Sequence, residues 1–395
     1  MKNQLPPKWQ QIPFKEVAEV VTGTTPSKKY PAFYGGNVPF ITPAELCDNG
    51  SIMKASTYLS DAGVKKARLL PEDTILVTCI GTLGKVGITD QPLVTNQQIN
   101  SLIFDKKVVF PKYAYFYCKT LKPVLETLAP ATTIPIINKS KFSEIRIPLP
   151  TLSEQKHIAA ILDKADAIRS KRQQAIKLAD EFLRATFLDM FGDPVTNSKG
   201  WKQRKFSDVC IINPKPEKNV KFDRSSFVSF VPMACVDEKR GQIMNSEEKT
   251  YAEVAKGYTF FKNRDVLMAK ITPCMENGKA AIAENLINGF GFGSTEFHVL
   301  RPESEVTSEY IFSFINREPF RLEAKSRFTG TAGQQRVPTS FLKDYEIPIP
   351  PIGLQNKFST FFKKIRKIRQ KSELLIDKNA YLFSSLTQKA FRGEL

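Results

Sequence analysis

The sequence predicts an α+β protein. Two globular mixed α/β domains, mainly strand, occupy 1–150 and 196–350, separated by a pair of long antiparallel coiled-coil helices at 151–195 and 351–395 in a pseudo-two-fold internal repeat. Three observations predict it. The chain matches itself, each copy opens with short β-type runs broken by turn residues, and each closes on a long stretch of heptad-spaced apolar residues.

The self-match has two registers. Residues 147–157, IPLPTLSEQKH, align with 347–357, IPIPPIGLQNK, and the pairs Ile168/Ile368, Arg169/Arg369, Lys171/Lys371 and Phe191/Phe391 continue that register. At the starts of the copies Trp9/Trp201, Phe14/Phe206 and Val17/Val209 align in a second one. FITPAEL (40–46) answers FVPMACV (230–236), GKVGI (84–88) answers GKAAI (278–282), and TNQQINSL (95–102) answers STEFHVL (294–300) more loosely. The second copy is therefore slightly longer than the first.

Within 1–150, TILVTCI (74–80) and NSLIF (100–104) read as strands, bounded by the turn signals TG (22–23), GG (35–36) and DNG (48–50). Spacing turns helical over Tyr113–Leu128. IPLP closes the domain, because each proline removes a donor and pushes its predecessor to extended geometry. From Ser153, the expected N-cap, to Met190 there is no Gly or Pro, a rod of about 55 Å. Its expected seam is Ile158, Ala165 and Ala179 in one row and Ile161, Ile168, Ala175 and Phe182 in the other, flanked by Leu162, Ile176 and Leu183. The second helix repeats this with Phe358, Ile365 and Leu386, then Phe361, Ile368, Leu375 and Leu382, flanked by Phe362, Ile376 and Phe383. Arg172, Ser372 and Asn379 break the first row, a device that sets register.

At 395 residues the chain has material for two cores, and its net charge of +18 points to a polyanionic partner. The surplus is uneven: 1–150 carries 18 basic and 11 acidic residues, and 351–395 carries 10 and 3. KKIRKIRQK (363–371) reads as a solvated face, an acidic partner's dock or a DNA contact. No signal peptide or apolar span is evident, so a cytoplasmic location is expected, with no membrane partner. Six scattered cysteines without CxxC predict reduced, mostly buried thiols, and two histidines, His157 and His298, leave little for a metal site, so none is expected. Antiparallel rods would relate the domains by a two-fold axis like that of duplex DNA, and diverged domains would then read two different half-sites.

The motifs TGTTPS (22–27), YGGNVPFIT (34–42), GTLGKVGI (81–88), TNQQIN (95–100), INKSKFSEIRIPLPTLSEQKHIAAIL (137–162), STEFHVLRP (294–302), FLKDYEIPIPPIGLQ (341–355), FGDP (191–194) and FRGEL (391–395) resemble those of the specificity subunits of type I restriction-modification enzymes over essentially the whole chain. Copy two departs by having INPKPE (212–217) where TGxTP would stand. The resemblance implies a non-catalytic subunit whose two target recognition domains each read half of a split double-stranded DNA site. Its helices would act as ruler and as platform for two modification (methyltransferase) subunits. It also implies restriction (translocase/nuclease) subunits, and no cofactor in this chain, with S-adenosylmethionine, ATP and Mg²⁺ carried by the partners.

The residues agree in kind. GTLGKVG (81–87) lacks the phosphate-loop spacing, and Asp237 with Glu247 and Lys249 is a weak nuclease-like pattern without a counterpart in copy one. The rival classes are a self-contained nuclease or methyltransferase and a non-DNA interaction scaffold held together by its coiled coil, with structured RNA as one candidate partner. Reading bases calls for Arg toward guanine and Asn or Gln toward adenine. The candidates are Asn96, Gln97 and Gln98 in copy one and Asn277, Gln334, Gln335 and Arg336 in copy two, with Thr24, Lys28, Lys29, Thr132 and Thr133 near turns. Lys85 and Lys279 are either phosphate contacts or turn lysines. The loops 131–138 and 329–338 occupy equivalent places and are the stronger pair.

Overall fold

The structure is a computed structural model that describes residues 6, 9–47, 50, 52–130, 134–216, 223–331 and 334–395. The chain forms two compact units, one of 1–174 with 372–395 and one of 175–371.

Unit 1 is built on an antiparallel sheet in the order Ala18–Thr22, Ile99–Phe104, Ile75–Thr78, Val86–Ile88. The central run Ile75–Thr78 is buried on both faces, which its ILVT composition allows. A second sheet orders Thr57–Leu59, Tyr34–Ile41, Val94–Thr95, the last pair parallel. The Gly35–Gly36 pair is not a turn between strands: it lies inside Tyr34–Ile41, where the register slips between Tyr34 and Val38, and Gly35 takes φ +81°. A bulge absorbs the positive φ that made the pair look like a turn. The helical spacing near Tyr113 resolves into Pro111–Cys118 and Lys122–Leu128.

Unit 2 repeats this order. Cys210–Ile212, Phe297–Pro302, Val266–Ala269 and Ala280–Ile282 form its antiparallel sheet, and Glu247–Thr250, Phe227–Val231, Phe290–Gly293 and Thr259–Lys262 its second sheet. Leu102 pairs with Val20 and Ile75 just as Leu300 pairs with Ile212 and Val266, so the duplication read in the sequence is a duplication of register.

The long helices run Leu152–Phe191 and Ile352–Arg392. The first is capped by Thr151 rather than Ser153. Glu154 Oε2 accepts from the Thr151 amide and hydroxyl, and the Glu154 amide donates back to Thr151 Oγ1, a capping box. In unit 1, Arg172 donates to the Leu375 carbonyl and Arg169 lies over the Phe383 ring. In unit 2, Arg369 pairs with Asp180 and Phe358 meets Phe187 and Phe191. Rising numbers on one helix meet falling numbers on the other, so each unit holds an antiparallel helix pair.

The seam needs correction. Ile158 and Phe358 are buried, and Ile161, Ala165, Ala179, Ile365, Leu375 and Leu386 are half-buried. Ile168, Ala175, Phe182, Phe361, Ile368 and Leu382, however, face solvent, with Ile168 48% and Phe182 53% exposed. The inward stripe instead takes Leu162, Ile176, Leu183, Phe362, Ile376 and Phe383. It also takes Asp166 and Arg169, which pair with each other, Asp180, which pairs with Arg369, and Arg172, which donates to the Leu375 carbonyl. An apolar period counts these charged positions as outward and so rotates the predicted face.

Each helix is bolted to its domain by one buried glutamine. The Gln155 amide donates to the carbonyls of Val108 and Pro150 and accepts from the Phe110 amide. Gln355 repeats this with Glu305, Pro350 and Thr307. Tyr113 and Tyr310 donate to the Pro148 and Pro348 carbonyls, both at 2.6 Å. Gln355→Ala strands one amide and two carbonyls, and a loss of roughly 2–4 kcal/mol is expected in urea unfolding. A loss under about 1 kcal/mol would mean that water replaces the amide. All six cysteines are free thiols; Cys79, Cys118 and Cys210 are buried, and Cys47, Cys235 and Cys274 are half-buried, fewer buried than expected. Burial pushes the Cys79 thiol up to about 12, far from a reactive thiolate. No helix among the described residues is long and apolar enough to cross a membrane.

Candidate nucleic-acid interface

In each unit four loops meet at the C-terminal end of one central strand. In unit 1 that strand is Ile75–Thr78. The Gly23 amide donates to the Ile99 carbonyl and the Thr24 amide to Thr95. A Cβ on Gly23 would stand 2.1 Å from the Asn96 carbonyl oxygen, so only glycine lets the 22–27 loop lie on the 95–98 loop. The Thr25 hydroxyl donates to Gln97 Oε1 at 2.6 Å, and Asn96 and Gln98 bond each other through side chain and backbone. The Cys79 amide donates to Gln98, Gly81 to Pro135, and Ile137 back to Cys79, which brings in the fourth loop.

Unit 2 repeats the last three of these bonds. The Lys270 amide donates to Glu296, Thr272 to Gln335, and Val337 back to Lys270. Asn96, Gln97 and Gln98 thus correspond to Ser294, Thr295 and Glu296, and Ile136, bridged to Ile80, corresponds to Arg336, bridged to Ile271.

Of the residues proposed from sequence, Thr24, Lys28, Lys29 and Gln97 are exposed on these loops, Gln98 is half-buried and Asn96 is buried. Thr132 and Thr133 lie outside the described residues. Gln334 is exposed and Gln335 half-buried. Asn277 is exposed farther along the connection that carries Thr272, where its backbone amide donates to the Pro273 carbonyl. Lys85 and Lys279 hold equivalent places, each after a positive-φ glycine, Gly84 or Gly278, and each ammonium donates to a carbonyl, of Pro43 or Met233, at 3.4 Å. In the basic helix segment, Arg366 bonds Glu284 and the Gly241 carbonyl, and Arg369 bonds Asp180 and the Lys239 carbonyl. Both arginines hold unit 2 together. Asp237 caps the amides of Lys239 and Arg240, and Glu247 pairs with Lys249, whose ammonium sits 4.0 Å from the centroid of Phe230.

Arg336 is gripped by Glu296: Nε and Nη2 both donate to its carboxylate at 2.9 Å, and Nη1 donates to the Gln334 carbonyl. The hydrogen bond from Arg336 holds the Glu296 carboxyl below its ordinary value. Composition had singled out Arg336 but not Glu296. The partner follows only from matching Glu296 with Gln98 in the repeat.

The INPKPE segment replaces TGTTPS with a different lock. In unit 1, Thr22 donates to Asn100 Oδ1. In unit 2, His298 stands at the Asn100 position. Its Nε2 meets the Val337 carbonyl at 2.7 Å, which can only accept, so Nε2 carries the proton and Nδ1 accepts from Asn213. His157 is exposed on the first long helix. Burial pulls the His298 imidazole below the ordinary 6.5. The unfolded chain therefore binds the proton more readily, and the stability held above 6.5 is lost as pH falls through and below that value. His298→Gln is expected to flatten the pH dependence of urea stability in that window. An unchanged slope there would place the acid sensitivity elsewhere.

The profile of the type I restriction modification DNA specificity domain family matches the chain twice, over residues 6–178 and 198–376. The EcoEI specificity subunit of Escherichia coli is 38% identical over 198 residues, 49% of this chain and 33% of that protein. The EcoAI specificity subunit, also of Escherichia coli, is 36% identical over 192 residues, 47% of this chain and 32% of that protein. The chain thus spans about a third of the length of these two relatives. The MjaIX specificity subunit of Methanocaldococcus jannaschii is 25% identical over 427 residues, covering 100% of this chain and 95% of that one. The fold is shared with the S subunit of a type I restriction-modification system from M. genitalium, at 16% identity, 99% and 97% coverage and a TM-score of 0.62. It is shared also with a chain from a structural study of complex assembly and conformational transition in the type I R-M system, at 15% identity, 99% and 100% coverage and a TM-score of 0.54.

Proposed function

Because the chain belongs to the type I restriction modification DNA specificity family, we propose that it is the DNA sequence-specificity subunit of a type I restriction-modification system. Each unit reads one half of a bipartite, asymmetric site through its four-loop cluster, and the long helices set the gap. The chain performs no chemistry. Modification subunits dock on the helices and bring S-adenosylmethionine, and restriction subunits bring ATP and Mg²⁺. The outward apolar side chains of each unit, Ile168 and Leu382 in unit 1 and Phe182, Phe361 and Ile368 in unit 2, are assigned to the modification subunits. The complex acts in the cytoplasm.

The observation that carries the reading is the repetition of the backbone bonds and bridge that tie three of the four loops together, with different side chains at their tips. A shared scaffold with exchanged tips suits two related tasks on two unlike targets. Selection from randomised duplexes, followed by salt titration, is expected to return two unequal half-sites at fixed separation, with affinity falling steeply as salt rises. A palindromic or unsplit site would overturn the reading. So would tighter binding to structured RNA, or turnover by the purified chain given S-adenosylmethionine and Mg²⁺.

A further inference from the structure

Resting on the assignment above, the corresponding positions 136 and 336 differ in a way that specifies what each half-site contains. Both sit opposite an isoleucine, Ile80 or Ile271, at the same bridge, and both face outward: Ile136 is 45% exposed and the Arg336 side chain 38%. Beside them, across Cys79 or Lys270, stands Gln98 or Glu296. One unit thus presents an aliphatic tip with an amide, the other a guanidinium with a carboxylate.

The carboxylate does more than neutralise. By taking Nε and Nη2, with Gln334 taking Nη1, it fixes the guanidinium plane and uses three of the five N–H donors. One N–H remains on each terminal nitrogen, the pair that matches the O6 and N7 acceptors of guanine. The side chain is ordered before binding, so less rotamer entropy is lost on contact. Ile136 has no hydrogen-bonding group. Its exposed aliphatic surface, next to Ile134 at 56% exposure, fits the one apolar feature of the major groove, the thymine 5-methyl.

We propose that positions 136 and 336 are the specificity-determining pair. Arg336, held by Glu296, selects guanine in the half-site of unit 2, and Ile136, beside Gln98, selects a T·A pair in the half-site of unit 1.

The test is randomised-duplex selection with the full chain. Wild type is expected to show one half-site with a fixed G·C and the other with a fixed T·A. Arg336→Gln with Glu296→Gln, which leaves no unpaired carboxylate, is expected to lose about 10–100-fold at the guanine alone. Ile136→Arg with Gln98→Glu moves the pair into unit 1 and is expected to convert its T·A to G·C without touching the other half-site. A uniform loss over all sequences, with the salt slope smaller by about one, would make Arg336 a phosphate contact and overturn the inference. Retained preferences in both double variants would overturn it too, while leaving the split-site reading intact. Failure of wild type to select any split duplex overturns that reading and the inference together.

Discussion

Exchanging residues 1–150 for the matching segment of a relative is expected to change one half of the recognised duplex and leave the other half as it was. All four loops of the unit 1 cluster lie inside this segment. Part of what joins it to the helices is backbone: Gln155 bonds the carbonyls of Val108 and Pro150 and the amide of Phe110, groups that any sequence supplies, while Lys112 and Lys119 pair with Asp163 and Asp166. Apolar contacts from Tyr113 and Phe116 to Phe391 and Phe383 must be kept. Binding to the original site should fall by about 10³-fold or more, the span between specific and non-specific affinity, and return on a duplex carrying the donor's half-site. Methylation mapping or duplex selection reads the outcome. If both half-sites changed, the units would not be independent readers.

Phe358→Ala is expected to cost unit 2 about 3–5 kcal/mol. Phe358 is fully buried and meets Phe187, Phe191 and Phe362 at centroid distances of 5.6, 5.2 and 6.1 Å. Phe187 and Phe191 in turn pack on Tyr310, so one ring ties both helices to the globular part of the unit. Unit 1 has Ile158 and Thr387 where unit 2 has Phe358 and Phe187, and of this cluster it keeps the Tyr113–Phe391 counterpart of the Tyr310–Phe191 contact. The two tryptophans report separately, since Trp201 donates to the Phe191 carbonyl in unit 2 and Trp9 lies in unit 1. In a Trp9→Phe background the Trp201 transition should move to lower urea in Phe358→Ala. In a Trp201→Phe background the Trp9 transition should stay within about 0.5 kcal/mol. A Trp201 transition that does not move would show that the cavity collapses without cost.

The duplication, the strand-rich sheets and the two long helices were legible because each is a local pattern: period two, heptad spacing, a proline junction, a repeated motif. The same is true of the loops at which Gln97, Gln98 and Arg336 stand. Which helix face turns inward was not legible, because Asp166, Arg169, Arg172 and Asp180 sit in the seam, where Asp166 and Asp180 pair with Lys119 and Arg369 far along the chain and Arg172 bonds the Leu375 carbonyl. Glu296 escaped notice for the same reason. Its role exists only where the chain brings it to Arg336, 40 residues on, and no period or composition records a bond between residues so far apart. Spacing along a chain encodes which backbone shape each segment prefers; which side chains satisfy one another depends on the packing that those shapes then adopt.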